Sequence, residues 1–104
     1  MSEVKTINGR EYTFKKYGLK QDMDIKDRSI IADVTNQKES VKSGTMQGLV
    51  VFYSLAGGLK HNDTGAELEI TEDNFYEHFP PSDINEAFSI CNELNGVSAA
   101  EKNV

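Results

Sequence analysis

His61, His78 and Cys91 are the chain's only histidines and its only cysteine, the side chains that together could in principle bind zinc. Zinc sites draw their ligands from short, repeated spacings such as CxxC or HxxxH, and neither occurs here. Cys91 falls on an apolar stripe, where a thiol is buried, protonated and inert. His61 lies in a polar stretch and His78 follows Glu77, so both read as surface histidines. Asp22, Asp24 and Asp27 resemble the start of a calcium loop, but the central glycine and the closing glutamate at position twelve are missing. Gly57-Gly58 lacks the surrounding pattern of either phosphate-binding glycine loop. Glu67, Glu69, Glu72 and Asp73 have no basic partner nearby and read as solubilising charge. The expectation is a protein that is not an enzyme, with no catalytic residue, no metal and no cofactor.

The chemistry-poor reading moves attention to surfaces. The chain has 104 residues and a net charge of −6. Apolar residues make up 38%, enough for one modest core. Residues 1–20 carry five Lys or Arg against two Glu, whereas 61–101 carry ten Asp or Glu and no Lys or Arg. An acidic half repels phosphate backbones, so no nucleic-acid partner is expected. A single cysteine suits a reducing compartment. The first residues are too polar for a secretory signal, and no apolar run approaches the ~20 residues of a membrane span. A cytoplasmic protein with no membrane contact is expected.

Taken in order, the chain opens with VKTI-NG-REYTF. Alternating residues flank Asn8-Gly9, a pair favoured in two-residue type I′ turns, so a β-hairpin is expected. Two strands are marginal alone and must lie on helices or pair with a strand of another chain, which makes a homo-oligomer one way to complete them. Leu19, Met23, Ile30, Ile31 and Val34 fit helical spacing and predict a helix over 19–34. Residues 35–43 are polar and predict a loop. Residues 44–59, GTMQGLVVFYSLAGGL, form the most apolar stretch of the chain. Their spacing predicts a helix over 43–56, apolar on most sides, with Gly57-Gly58 as its left-handed end. Gly44 and Gly48 inside it suggest close approach of another backbone, or simply weak helix initiation. Thr71 caps a short helix whose first turn is acidic and whose apolar side is Phe75, Tyr76 and Phe79. Pro80-Pro81 ends it. Ser82 or Asp83 caps the last helix, with the stripe Ile84, Ala87, Phe88, Cys91 and Leu94, and Asn95-Gly96 closes it. The fold class expected is α+β: an N-terminal β-hairpin followed by a bundle of three to four helices. Residues 1–96 form one domain and 97–104 a flexible tail.

Two neighbouring elements, the apolar helix and the short helix before Pro80, concentrate more aromatic surface than so small a body readily encloses. Val50, Tyr53, Phe75, Tyr76 and Phe79 are the residues expected to bind a protein partner.

The layout carries a resemblance. INGREYTFKK at the N-terminus, GLVVFYSLAGG in the centre and LEITEDNFYEHFPPSDINEAFSICNELNG at the end together resemble the small tail assembly chaperones of long-tailed bacteriophages and prophages, over most of 4–96. The resemblance implies a chaperone that binds the long tape-measure protein and keeps it soluble while the tail tube assembles. It brings no catalytic residue with it. An apolar groove inside a charged exterior suits a long helical client with apolar stripes. The other readings are a structural tail or connector component of a virion and a small acidic regulator or inhibitor.

Overall fold

The structure is a computed structural model describing residues 2–33, 38–41 and 43–96. It is an α+β fold. Strands β1 (Ser2–Ile7) and β2 (Arg10–Lys15) pair antiparallel, with Ile7 opposite Arg10 and Ser2 opposite Lys15. Asn8 and Gly9 join them at φ 51° and 79°, the positive values that a type I′ turn requires and that Asn and Gly tolerate best. Ile7, Tyr12 and Phe14 share the inner face and are buried.

Helix α1 covers Leu19–Ser29 and stops five residues before the end expected from its spacing. The buried Ser29 hydroxyl donates back to the Ile25 carbonyl. The chain then enters strand β3 (Ile30–Asp33), which pairs antiparallel with β4 (Lys38–Val41). The expected helix over 30–33 and loop over 38–41 are therefore a pair of antiparallel strands. Ile30 and Ile31 are β-branched and favour extended backbone once a partner strand is present, a preference that loose helical spacing concealed. Residue 34, the rest of the expected polar loop at 35–37 and 42, and the tail at 97–104 lie outside the described residues.

Helix α2 (Ser43–Ser54) carries Leu49, Val50 and Val51 into the core. It ends before the glycine pair expected to stop it. Leu55–Gly57 forms strand β5, which pairs with β2 and completes a three-stranded sheet in the order β1-β2-β5. Unsatisfied backbone groups on the free edge of β2 and the near-total burial of Leu55 reward extension here over another helical turn. Gly58 follows at φ 99°. A β-carbon at this position would lie 2.5 Å from the Glu11 carbonyl oxygen and 2.9 Å from Tyr12 Cα, so the chain can cross the hairpin this closely only without one. Gly48 has a different role: the ring of Tyr76, not a backbone, packs over it. Nothing lies within 4 Å of the corresponding position at Gly44, which leaves a weak helix start.

Helix α3 (Glu72–His78) begins as expected, with the Thr71 hydroxyl accepting from Asn74 N at 3.1 Å. A 3-10 turn, Pro81–Asp83, leads into α4 (Ile84–Leu94), which turns Ala87 and Cys91 inward. Asn95 ends α4 and also joins three elements: its Oδ1 accepts from Tyr17 N at 2.9 Å, and its Nδ2 donates to Ser54 Oγ at 3.0 Å and to the Cys91 carbonyl at 2.8 Å. The buried apolar residues of the sheet, α1, α2, α3 and α4 form one contiguous cluster. Among the described residues, no helix is long and apolar enough to cross a membrane.

Candidate functional site

The five residues expected at a partner-binding face divide sharply. Val50, Phe75 and Phe79 are buried. The Phe75 ring packs against Phe79 at 4.8 Å and Phe52 at 5.7 Å, and Phe79 reaches Tyr12 at 5.2 Å. This aromatic row is the core between α2, α3 and the hairpin, not an open groove. The inner face of the hairpin supplies the cover that a count of apolar residues along the helices leaves out. Tyr76 is half-exposed, with its ring edge on Gly48. Tyr53 is partly buried, and its hydroxyl donates to Asp24 Oδ2.

Tyr53 lines a shallow groove of about 450 Å³ with Phe52, Leu55 and Ile70, and Lys15 and Lys16 stand at its side. Gly18 borders it, and the next residue in the chain, Leu19, is 73% exposed. Met23, one helical turn further along α1, is 56% exposed on the same side of the helix. Both are more exposed than Tyr76, at 50%. Among the described residues, the exposed large apolar side chains on helices are thus two on α1 and one, Tyr76, on α3.

The groove's wall is held by a polar chain. Asp24 accepts from Tyr53 and from Arg28 Nη1 at 3.3 Å. Arg28 also grips Glu72 with both terminal nitrogens at 2.8 Å, joining α1 to the first turn of α3. The Tyr53 hydrogen bond, followed by the Arg28 hydrogen bond and charge, holds the Asp24 carboxyl below its ordinary range, and the same Tyr53 bond raises the phenol. Glu72 is lowered chiefly by its Arg28 hydrogen bonds.

A second, larger cleft of about 960 Å³ opens between the β1–β2 turn, residues 58–65 and the end of α3. His61 and His78 meet here with ring centroids 4.4 Å apart. His61 Nδ1 accepts from Asp63 N at 3.1 Å and Thr64 N at 3.3 Å, and His78 Nδ1 accepts from Asn62 N at 3.3 Å. Each imidazole therefore spends one ring nitrogen ordering the loop. The His78 side chain is only 10% exposed, so it is not the surface residue expected. The two residues are 17 apart in sequence with no common motif, and only the folding of the loop onto α3 pairs them. Among the described residues, no group of three or more His, Cys, Asp or Glu is placed to hold a metal ion. Cys91 is fully buried, and burial pushes its thiol up to about 12.

Comparison of the chain with protein-family models, with curated proteins and with solved structures finds no match.

Sequence reasoning missed Asp83, which was expected only as a helix cap. It is fully buried, makes no capping hydrogen bond and instead binds the hairpin. Its carboxylate accepts from Asn8 Nδ2 at 2.8 Å, Tyr12 OH at 2.6 Å and Arg10 Nη1 at 3.3 Å. The Pro-Pro segment before it and the Asn-Gly turn are the only local signals nearby, and neither points to the other.

Proposed function

We propose that this chain is a non-enzymatic tail assembly chaperone that binds apolar helical segments of a tape-measure protein. The observation that supports the reading is the groove lined by Phe52, Tyr53 and Ile70 together with Lys15, Lys16 and Gln21, with exposed Leu19 and Met23 on the adjoining helix. An amphipathic helix presents side chains at three- and four-residue spacing, a pattern that an aromatic-lined groove beside a helix can accept. The lysines select a client with acidic residues flanking its apolar stripe. The exposed carboxylates between Asp63 and Glu93 keep the surface outside the groove from binding apolar segments indiscriminately.

The experiment is co-expression with the longest coiled-coil-rich frame encoded beside this gene. The client is expected in the soluble fraction with this chain bound. Leu19→Ser with Met23→Ser is expected to return it to the pellet while leaving the chaperone folded. A client that pellets equally with and without the chaperone would overturn the reading.

A further inference from the structure

Strand β1 is an edge strand whose outer side carries a self-complementary pattern. Among the described residues, no strand pairs with it opposite β2. The two-residue turn makes Ile7 and Arg10 the hydrogen-bonded pair that closes the hairpin. Backbone groups then alternate: Ile7, Lys5 and Glu3 bond inward to β2, while Thr6, Val4 and Ser2 direct their N–H and C=O outward. Val4 is 59% exposed, an unusual place for a β-branched apolar residue. Glu3 and Lys5 are also exposed.

The geometry points to a homodimer formed by antiparallel pairing of β1 with β1 of a second copy, about a two-fold axis through Val4. This inference does not rest on the proposed function. Val4 would meet Val4 of the second copy as a hydrogen-bonded pair, exchanging both backbone bonds, and Ser2 would meet Thr6 in the same way on each side. Every outward backbone group from Ser2 to Thr6 then finds a partner. Glu3 meets Lys5 as a non-hydrogen-bonded pair, the arrangement that brings opposing side chains closest. The interface would join the two sheets into one of six strands through the two-fold axis, twice the three of one chain.

The charges select this register against its neighbours. An antiparallel slip that preserves the outward backbone pattern moves the axis by one residue. With the axis at Lys5, two lysines face each other; with the axis at Glu3, two glutamates do. Both alternatives place like charges directly opposite, which is destabilising. Only the Val4 axis pairs opposite charges twice. A charged edge strand can also serve simply to keep copies apart, and the two roles predict opposite results below.

The test is sedimentation equilibrium with charge variants at these two exposed positions. The natural chain is expected to sediment as a concentration-dependent dimer that weakens with added salt. Glu3→Lys alone and Lys5→Glu alone each place like charges across the axis, and each is expected to be monomeric with an unchanged circular dichroism spectrum. An equimolar mixture of the two single variants restores opposite charges on both sides and is expected to regain the dimer mass. Recovery in the mixture shows that the single variants are folded and that the pairing is direct. A natural chain that stays monomeric at every concentration would overturn the inference, and so would single variants that dimerise as well as the natural chain.

Discussion

The Tyr12 hydroxyl donates to Asp83 Oδ2 at 2.6 Å across 71 residues of chain, fastening the N-terminal hairpin to the start of the last helix. Asp83 has no exposure, yet no buried side-chain oxygen or nitrogen among the described residues lacks a partner. A buried carboxylate is costly in isolation, and here its hydrogen bonds offset that cost. Arg10 adds charge, but its side chain is 53% exposed and water screens much of that contribution. The neutral donors Tyr12 and Asn8 therefore do most of the holding.

Asp83→Asn should lower stability by about 2–4 kcal/mol. The amide keeps the shape but turns an N–H group toward donors, leaving one of them unsatisfied in the interior. Urea unfolding followed by circular dichroism measures the loss. A change below about 0.5 kcal/mol would mean that water already reaches the site.

The same pair gives stability two pH limits. Burial alone would raise the Asp83 carboxyl, but hydrogen bonds from Tyr12 and Asn8 and the Arg10 charge outweigh it and lower it. A lowered native value contributes stability that is present above the unfolded carboxyl range near ~4 and is lost as pH falls through the native value. Tyr12 is raised, first by burial and then by its bond to Asp83. Its contribution is whole below the unfolded phenol value near ~10 and is lost as pH rises beyond it. The urea midpoint should thus fall at both extremes. Tyr12→Phe should flatten the alkaline limb, and Asp83→Asn the acid limb.

Gly58→Ala should cost about 3 kcal/mol. The residue sits at φ 99°, and the added carbon would collide with the backbone of Glu11 and Tyr12, which cannot rotate aside as a side chain can. Gly44→Ala is the control, since it meets open space; it should stabilise α2 by up to about 1 kcal/mol. Thermal melts of the two variants should move in opposite directions.

Cys91 should resist thiol reagents in the native protein. It has no exposure and its thiol is pushed up to about 12, so little thiolate forms at neutral pH. Labelling should proceed only through opening of the α4 packing and accelerate with urea. Fast labelling in buffer alone would show that α4 is not seated on the core as described.

Much of the fold was legible because its signals are local. Asn8-Gly9 specifies a turn through its own backbone preferences, Thr71 caps α3 within three residues, and the three- and four-residue stripe of α4 predicts the burial of Ala87 and Cys91. Short-range signals are ambiguous elsewhere. Ile30 and Ile31 suit either a helix or a strand, and pairing with β4 decided between them. Phe75 and Phe79 read as exposed because nothing in their own segment says that Phe52 and Tyr12 will pack against them.

The chain's own order of residues therefore determined its class of architecture, its Asn8-Gly9 turn and its Thr71 cap, since each depends on neighbours a few positions apart. The folded molecule alone decided that α2 yields to β5 at Leu55, that Phe75 and Phe79 turn inward, that His61 meets His78, and that Asp83 grips the hairpin. The physical reason is range. Burial and hydrogen-bond satisfaction are settled by groups distant in the chain, and a carboxylate one residue before a helix looks like a cap until the donors that surround it are in place.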